Sequence, residues 1–134
     1  MSSPTSPMWS RRTQRLRDRA AAPDDPRRAR ALIAAVNGDA VAVGGGHVLH
    51  VLCDLSIASE TARFGQAGPR VGSFDAGFRA AYLARVVGEK RARQIWFLLD
   101  LIDAQTAERW NLVNDVVPPA EVMDKAREYA RKIA

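Results

Sequence analysis

The sequence has little of what most metal, secreted or membrane proteins need. It has one cysteine, Cys53, and two histidines in 134 residues, so it can form no internal disulfide and has no cluster with zinc-ligand spacing. No apolar run approaches the roughly 18 residues that span a bilayer. The first residues lack the apolar core of a secretory signal. These absences predict a cytoplasmic location, no metal and no membrane partner.

Acidic side chains are scarce at one end of the chain. Residues 1–30 contain eight Arg and three Asp, whereas residues 31–134 contain twelve basic and twelve acidic side chains. The first thirty residues, rich in Ser, Pro and Arg, hold too few large apolar side chains to offset the entropy of ordering. We therefore expect a disordered or partly helical tail over 1–30 and a domain over 31–134.

Two functional interpretations of this tail are open besides plain disorder. An Arg-rich targeting peptide is one, but Asp18, Asp24 and Asp25 are unusual in such a segment. A nucleic-acid-binding arm is the other, but aromatic residues are not interleaved with the arginines. The sequence therefore predicts no nucleic-acid partner.

Residues 31–134 alternate short apolar runs with longer helical patterns. The predicted strands are 32–36, 40–43, 54–58, 62–65 and 113–117. The predicted helices are 47–53, 76–87, 89–99, 104–110 and 120–133, with Asp75 and Asp103 as capping residues. No repeat of 20–50 residues is visible. The alternation predicts an α/β fold.

A glycine triplet, Gly44 to Gly46, stands between a predicted strand and a predicted helix. Glycine lets a ligand approach the backbone closely, and the first amides of a helix can bind negative charge. The triplet fits neither the dinucleotide-binding nor the phosphate-loop spacing. By itself it predicts either a tight turn or a site for an anion or oxyanion.

Three blocks carry a family resemblance: GGGHVLHVLCDL from Gly44, FGQAGPRVGSFD from Phe64 and ARQIWFL from Ala92. In this order they resemble the crotonase (enoyl-CoA hydratase/isomerase) superfamily, over residues 32–134. Within it the blocks are most similar to the 1,4-dihydroxy-2-naphthoyl-CoA synthases, and the 2-ketocyclohexanecarboxyl-CoA hydrolases are close neighbours. The resemblance implies a partial crotonase-like spiral of ββα units followed by C-terminal helices.

The resemblance also implies a chemistry. Enzymes of this superfamily stabilise a thioester enolate with backbone N–H groups, one of which corresponds to Gly45. The two glutamates of the hydratases would fall at Val48 and Gly68, and without them no group is positioned to activate water. This favours a lyase of menaquinone biosynthesis, which closes the ring of o-succinylbenzoyl-CoA by an intramolecular Claisen reaction.

The synthase resemblance implies a set of site residues. Hydrogencarbonate is expected at Gln66, Gly68 and Trp96, in place of the missing carboxylate base. Ser73 and Asp75, with Gly45, are the expected catalytic residues. The expected substrate contacts of the acyl-CoA are Val43, Gly44, Gly45, Ala67 and Ser73, where Ala67 replaces the usual Thr. The family also implies a homo-oligomer, a trimer or a hexamer.

The chain departs from the family pattern in three ways. The family's N-terminal half, which supplies a second oxyanion N–H, and its last helices have no counterpart here. The segment from Gly38 to Gly44 is also longer than usual. The sequence therefore leaves open whether this chain is an enzyme. A catalytically inactive crotonase-like fragment, which acts as a binding or oligomerisation module, is the alternative.

Overall fold

The computed structural model describes residues 31–37, 41–73 and 79–133. Within these ranges the strands are β1 Ile33–Val36, β2 Val41–Val43, β3 Leu55–Ser59, β4 Arg63–Gly65, β5 Ile102–Asp103 and β6 Asp115–Val117. The α-helices are α1 Gly45–Leu52, α2 Arg79–Val87, α3 Glu89–Leu98, α4 Ala104–Arg109 and α5 Val122–Ile133. Short 3-10 turns cover Gly68–Val71 and Pro119–Glu121. The predicted tail, residues 1–30, lies outside the described residues.

The strands form two small sheets, with orders β1-β3-β6 and β2-β4-β5. Strand β3 lies parallel to β1, and β4 lies parallel to β2. Ile33 pairs with Leu55 and Val41 pairs with Arg63, each 22 residues further along the chain. The strand pairs β1–β2 and β3–β4 are therefore stacked turns of one spiral, and each turn contributes one strand to each sheet.

The β1-β3-β6 sheet is apolar on both faces, as parallel sheets usually are. Alternate residues of β1 point to opposite faces, so Ile33 and Ala35 pack beside Ile57 against α5. Ala34 and Val36 instead join the main core. That core also contains Phe64, which is fully buried, and side chains of α2 and α3. Packing on both faces fixes the sheet between α5 and the rest of the domain.

The predicted α/β class is confirmed, with element boundaries shifted by a few residues. Helix α1 begins at Gly45, two residues earlier than predicted, because the glycines themselves take helical geometry. The side chain of Asp103 accepts a 2.7 Å hydrogen bond from the N–H of Thr106 and caps α4, as predicted. Strand β5 was not predicted, because a two-residue strand has no recognisable period. No helix in the described part of the chain is long and apolar enough to cross a membrane.

Candidate functional site

The site begins where two neighbouring strands end. Strands β2 and β4 are parallel, and Val43 at the end of β2 pairs with Gly65 at the end of β4. Since parallel strands end at the same edge of a sheet, the segments that follow them leave side by side. The glycine triplet follows β2, and Gln66 follows β4. Residues 22 positions apart in sequence are thereby brought to one edge.

The glycine triplet starts α1 without any side-chain cap. Gly44 has φ 57° and ψ −118°, a conformation that only glycine adopts readily, and its carbonyl accepts a 3.1 Å hydrogen bond from the N–H of Val48. The first amides of a helix have no intrahelical acceptor. A Cβ built at Gly45 or Gly46 would have no described atom within 4 Å. The start of α1 therefore offers backbone N–H groups to open space.

The loop after β4 is tightly closed on itself. The N–H of Ser73 donates a 2.9 Å hydrogen bond to the carbonyl of Gly68. A Cβ on Gly68 would lie 2.6 Å from the carbonyl oxygen of Ser73, closer than real Cβ atoms come to backbone atoms. Ala67 and Ser73 are exposed, whereas Gln66 is buried. The absence of a side chain at position 68 is thus a requirement of this loop.

A small cleft of about 210 Å³, counting the space at its open mouth, lies between α1 and α2. Its wall is largely apolar, with three polar side chains on it. Its described lining residues are His47, Val48, Val51, Leu52, Gln66, Tyr82 and Leu83. No carboxylate belongs to this lining. The cleft therefore suits an apolar group that carries one or two neutral polar atoms.

Two buried histidines lie on α1 beside the cleft. The Nδ1 of His50 is 3.2 Å from the hydroxyl oxygen of Ser56, and the two histidine rings meet edge-on at 5.1 Å. Neither ring nitrogen of His47 has a hydrogen-bond partner within the described part of the chain. Burial lowers the pKa of His47 to about 4. Burial, with the repulsion of His47, lowers the pKa of His50 to about 3. Both rings are therefore neutral at pH 7.

The structure brings most of the predicted site residues to this edge and separates others from it. The paired ends of β2 and β4 are surrounded by Val43, by the glycines 44 and 45, and by the loop from Gln66 to Ser73. Trp96 lies in α3, is 5% exposed and packs in the main core, apart from the cleft lining. Asp75 lies outside the described residues. The assigned roles of all these residues stay predictions.

Sequence reasoning assigned no role to His47 or Tyr82, although both line the cleft. The sequence signal that could have placed His47 beside the cleft is a helical spacing, which puts four residues on one face of α1: His47, Val48, Val51 and Leu52. No group of three or more His, Cys, Asp or Glu side chains in the described ranges is arranged to hold a metal ion.

Comparison with known proteins identifies the fold. The chain matches the family described as enoyl-CoA hydratase/isomerase over residues 28–134. An enoyl-CoA hydratase structure from Bacillus anthracis is 37% identical with a TM-score of 0.71, over 75% of this chain and 38% of that one. The enoyl-CoA hydratase of Mycobacterium tuberculosis is 36% identical with a TM-score of 0.74, over 81% and 48% of the two chains.

A third enoyl-CoA hydratase structure, from Mycobacterium paratuberculosis, is 28% identical with a TM-score of 0.77, over 92% of this chain and 67% of that one. The chain spans only 38% of the length of the Bacillus anthracis protein, which is well under half. Both its sequence and its fold match these proteins. The chain belongs to the enoyl-CoA hydratase/isomerase family and has part of the crotonase-like fold.

Proposed function

We propose that this chain binds an acyl-CoA thioester and stabilises its enolate with the N–H of Gly45. The observation that carries the proposal is the pairing of Val43 with Gly65, which sets the uncapped start of α1 beside the loop of Gln66 and the apolar cleft. An oxyanion is stabilised best by donors that are already oriented in a site with little water. An acyl chain in the cleft would place its thioester carbonyl near that helix start.

The reaction we propose is carbon–carbon bond formation and not hydration. Val48 is 3% exposed and lines the cleft where a hydratase would have a glutamate. Gly68, the other such position, has no room for a side chain because the carbonyl of Ser73 is too close. The described lining thus holds no carboxylate to activate water. Ring closure of o-succinylbenzoyl-CoA, as in the 1,4-dihydroxy-2-naphthoyl-CoA synthases, forms its carbon–carbon bond from an enolate and releases water, so it needs no activated water.

The hydrogencarbonate that the synthase resemblance implies is only partly supported. Gln66 is 4% exposed and lines the cleft, so its amide could donate to an anion there. Trp96 packs in the core and is not part of that lining. The three residues assigned to the anion therefore do not converge on the cleft. We derive no step through hydrogencarbonate, and its effect on turnover becomes a measurement.

Self-association is part of the proposal. Several large apolar side chains are exposed at the end of α3 and in the turn after β4: Val71 is 78% exposed, Phe97 70%, Leu98 58% and Leu101 53%. The side chain of Arg70 donates to the carbonyl of Leu99 at 3.3 Å and links the two segments. Exposed apolar groups of this size favour burial against another protein surface. A homo-oligomer is the arrangement we propose.

The experiment is turnover of o-succinylbenzoyl-CoA by the purified chain, with and without added hydrogencarbonate, for the wild type and Gly45→Pro. Proline removes the N–H of Gly45 but is favoured at the first position of a helix, where α1 begins. We expect turnover to fall by about 100-fold or more, the usual result of removing one oxyanion donor. Glu89→Pro is the matched control, because Glu89 also begins a helix after a glycine of positive φ, and it is absent from the cleft lining.

The outcomes separate the candidate functions. Equal turnover by the wild type and Gly45→Pro would exclude the Gly45 N–H as the oxyanion donor. Hydrolysis of 2-ketocyclohexanecarboxyl-CoA without ring closure would assign the neighbouring hydrolase activity. Binding of acyl-CoA without any turnover would indicate a binding module. A chain that neither binds nor turns over a thioester would refute the proposal.

A further inference from the structure

His47 is a buried polar side chain with no hydrogen-bond partner in the described chain. It is 1% exposed, and both of its ring nitrogens lack a hydrogen bond. A neutral imidazole has one donor and one acceptor, and leaving such groups unpaired in a protein interior costs about 1–3 kcal/mol. His50, one turn further along α1, is satisfied at one nitrogen: Ser56 lies within hydrogen-bond distance of its Nδ1, whereas its Nε2 has no partner in the described chain. His47 therefore needs a partner from outside the described chain.

A ligand in the cleft can supply that hydrogen-bond partner. His47 is part of its lining, together with Gln66 and Tyr82, and the other described walls are apolar. The 210 Å³ of the cleft includes the space at its open mouth, so the cleft holds only a small part of a ligand. His47 is two residues along α1 from Gly45, a rise of about 3 Å. A ligand atom beside His47 is thus close to any carbonyl held at the helix start.

We propose that His47 is a specificity residue, which hydrogen-bonds a neutral carbonyl or hydroxyl group on the acyl chain of a bound thioester. This inference rests on the proposed function, because it takes the ligand to be an acyl-CoA. The chemistry of the ring decides the class of group: a neutral imidazole among apolar walls binds a neutral donor or acceptor, and it offers no charge to a carboxylate or phosphate.

The test compares two thioesters of equal chain length that differ in one carbonyl. Acetoacetyl-CoA has a 3-oxo group and butyryl-CoA does not, and isothermal titration calorimetry gives both dissociation constants. We expect the wild type to prefer acetoacetyl-CoA by about tenfold, the upper range of one net hydrogen bond. His47→Phe keeps a flat aromatic ring, one atom larger than imidazole, and removes both nitrogens, so the preference should fall below about threefold. His47→Gln, which keeps a donor and an acceptor, should restore part of it.

Structural loss is separated from loss of specificity by a second readout. If His47→Phe does not fold, as judged by circular dichroism, His47→Leu makes the same comparison. Gln105→Leu is a control on the exposed surface of α4, absent from the cleft lining, and should keep the tenfold preference. An unchanged preference in both the Phe and the Leu variants would overturn the assignment of His47 while leaving the proposed function intact. No binding of either thioester by the wild type would overturn both.

Discussion

The two glycine-containing loops at the edge of the site use glycine for opposite reasons. In the triplet after β2, a Cβ on Gly45 would meet no described atom within 4 Å. In the loop after β4, a Cβ on Gly68 would lie 2.6 Å from the carbonyl oxygen of Ser73. The chain's own packing explains the second glycine but not the first. Open space before an uncapped helix start is what the approach of a ligand requires, so the first loop is the one to test for function and the second for folding.

The residues next to the two strand ends differ as well. The triplet leads into the buried pair His47 and His50, whereas β4 leads into Gln66, which does not titrate. Acid should therefore destabilise the fold through α1, the helix that carries the two histidines.

Lowering the pH from 7 to 5 should have the largest effect. Both histidines have pKa values lowered from 6.5, to about 4 and about 3, so the unfolded chain takes up protons first. Their neutral forms stabilise the fold fully above pH 6.5, and this contribution is lost as the pH falls toward 4 and 3. At about 1.4 kcal/mol per pH unit, each histidine should cost roughly 2 kcal/mol at pH 5. Urea unfolding at constant ionic strength measures the loss.

His47→Phe is the matched variant for this pH series. It removes one of the two titrating groups, so the loss between pH 7 and pH 5 should be about half that of the wild type. A pH dependence identical to that of the wild type would mean that His47 is protonated in the native state or exposed to water.

Gly68→Ala should destabilise the fold by about 1–3 kcal/mol, because the new methyl group has to displace the carbonyl of Ser73. Ala67→Ser is the control: this neighbour is exposed, and its substitution should change the free energy of unfolding by less than about 0.5 kcal/mol. Denaturant unfolding of the three proteins measures both effects. Equal stability of Gly68→Ala and the wild type would show that the loop rearranges freely.

Gly44→Ala should cost about 1–2 kcal/mol, through backbone strain and not through a clash. Gly44 has φ 57°, which a residue with a Cβ rarely adopts, while the space around it is open. The helical content by circular dichroism should stay near that of the wild type while the unfolding midpoint falls. A midpoint equal to the wild type's would indicate that the start of α1 does not need this conformation.

Gly45→Ala should change the free energy of unfolding least, by less than about 0.5 kcal/mol, since the methyl group enters open space at a helical position. The same methyl group should weaken binding of acetoacetyl-CoA, because it occupies the space in front of the free amides. Calorimetry and denaturant unfolding on one preparation measure both. A large loss of stability with unchanged binding would reverse the comparison between the two loops.

Much of the local structure could be predicted from sequence. Asp103 was expected to cap a helix and does, because an N-cap depends on a few neighbouring residues. The absence of carboxylates at Val48 and Gly68 could also be recognised from the sequence, because it needs only the residue types at two positions of the family pattern. The exclusion of a side chain at Gly68 could not, since it depends on how the loop returns to Ser73. The place of Trp96 in the core could not be predicted either, because the packing of α3 decides it, and its assignment to the anion stays a prediction.

The amino-acid sequence alone determined the α/β class, the family resemblance and the presence of a helix after the first glycines of the triplet. These follow from composition, short-range pattern and residue identity. The tertiary structure decided the 22-residue offset between the turns of the spiral, which no sequence repeat reveals, and so placed Gln66 beside Gly44. It also buried His47 beside a cleft with no hydrogen-bond partner among the described residues. Parallel pairing joins strands that are distant in the chain, and strands of three residues have no pattern that specifies their neighbour.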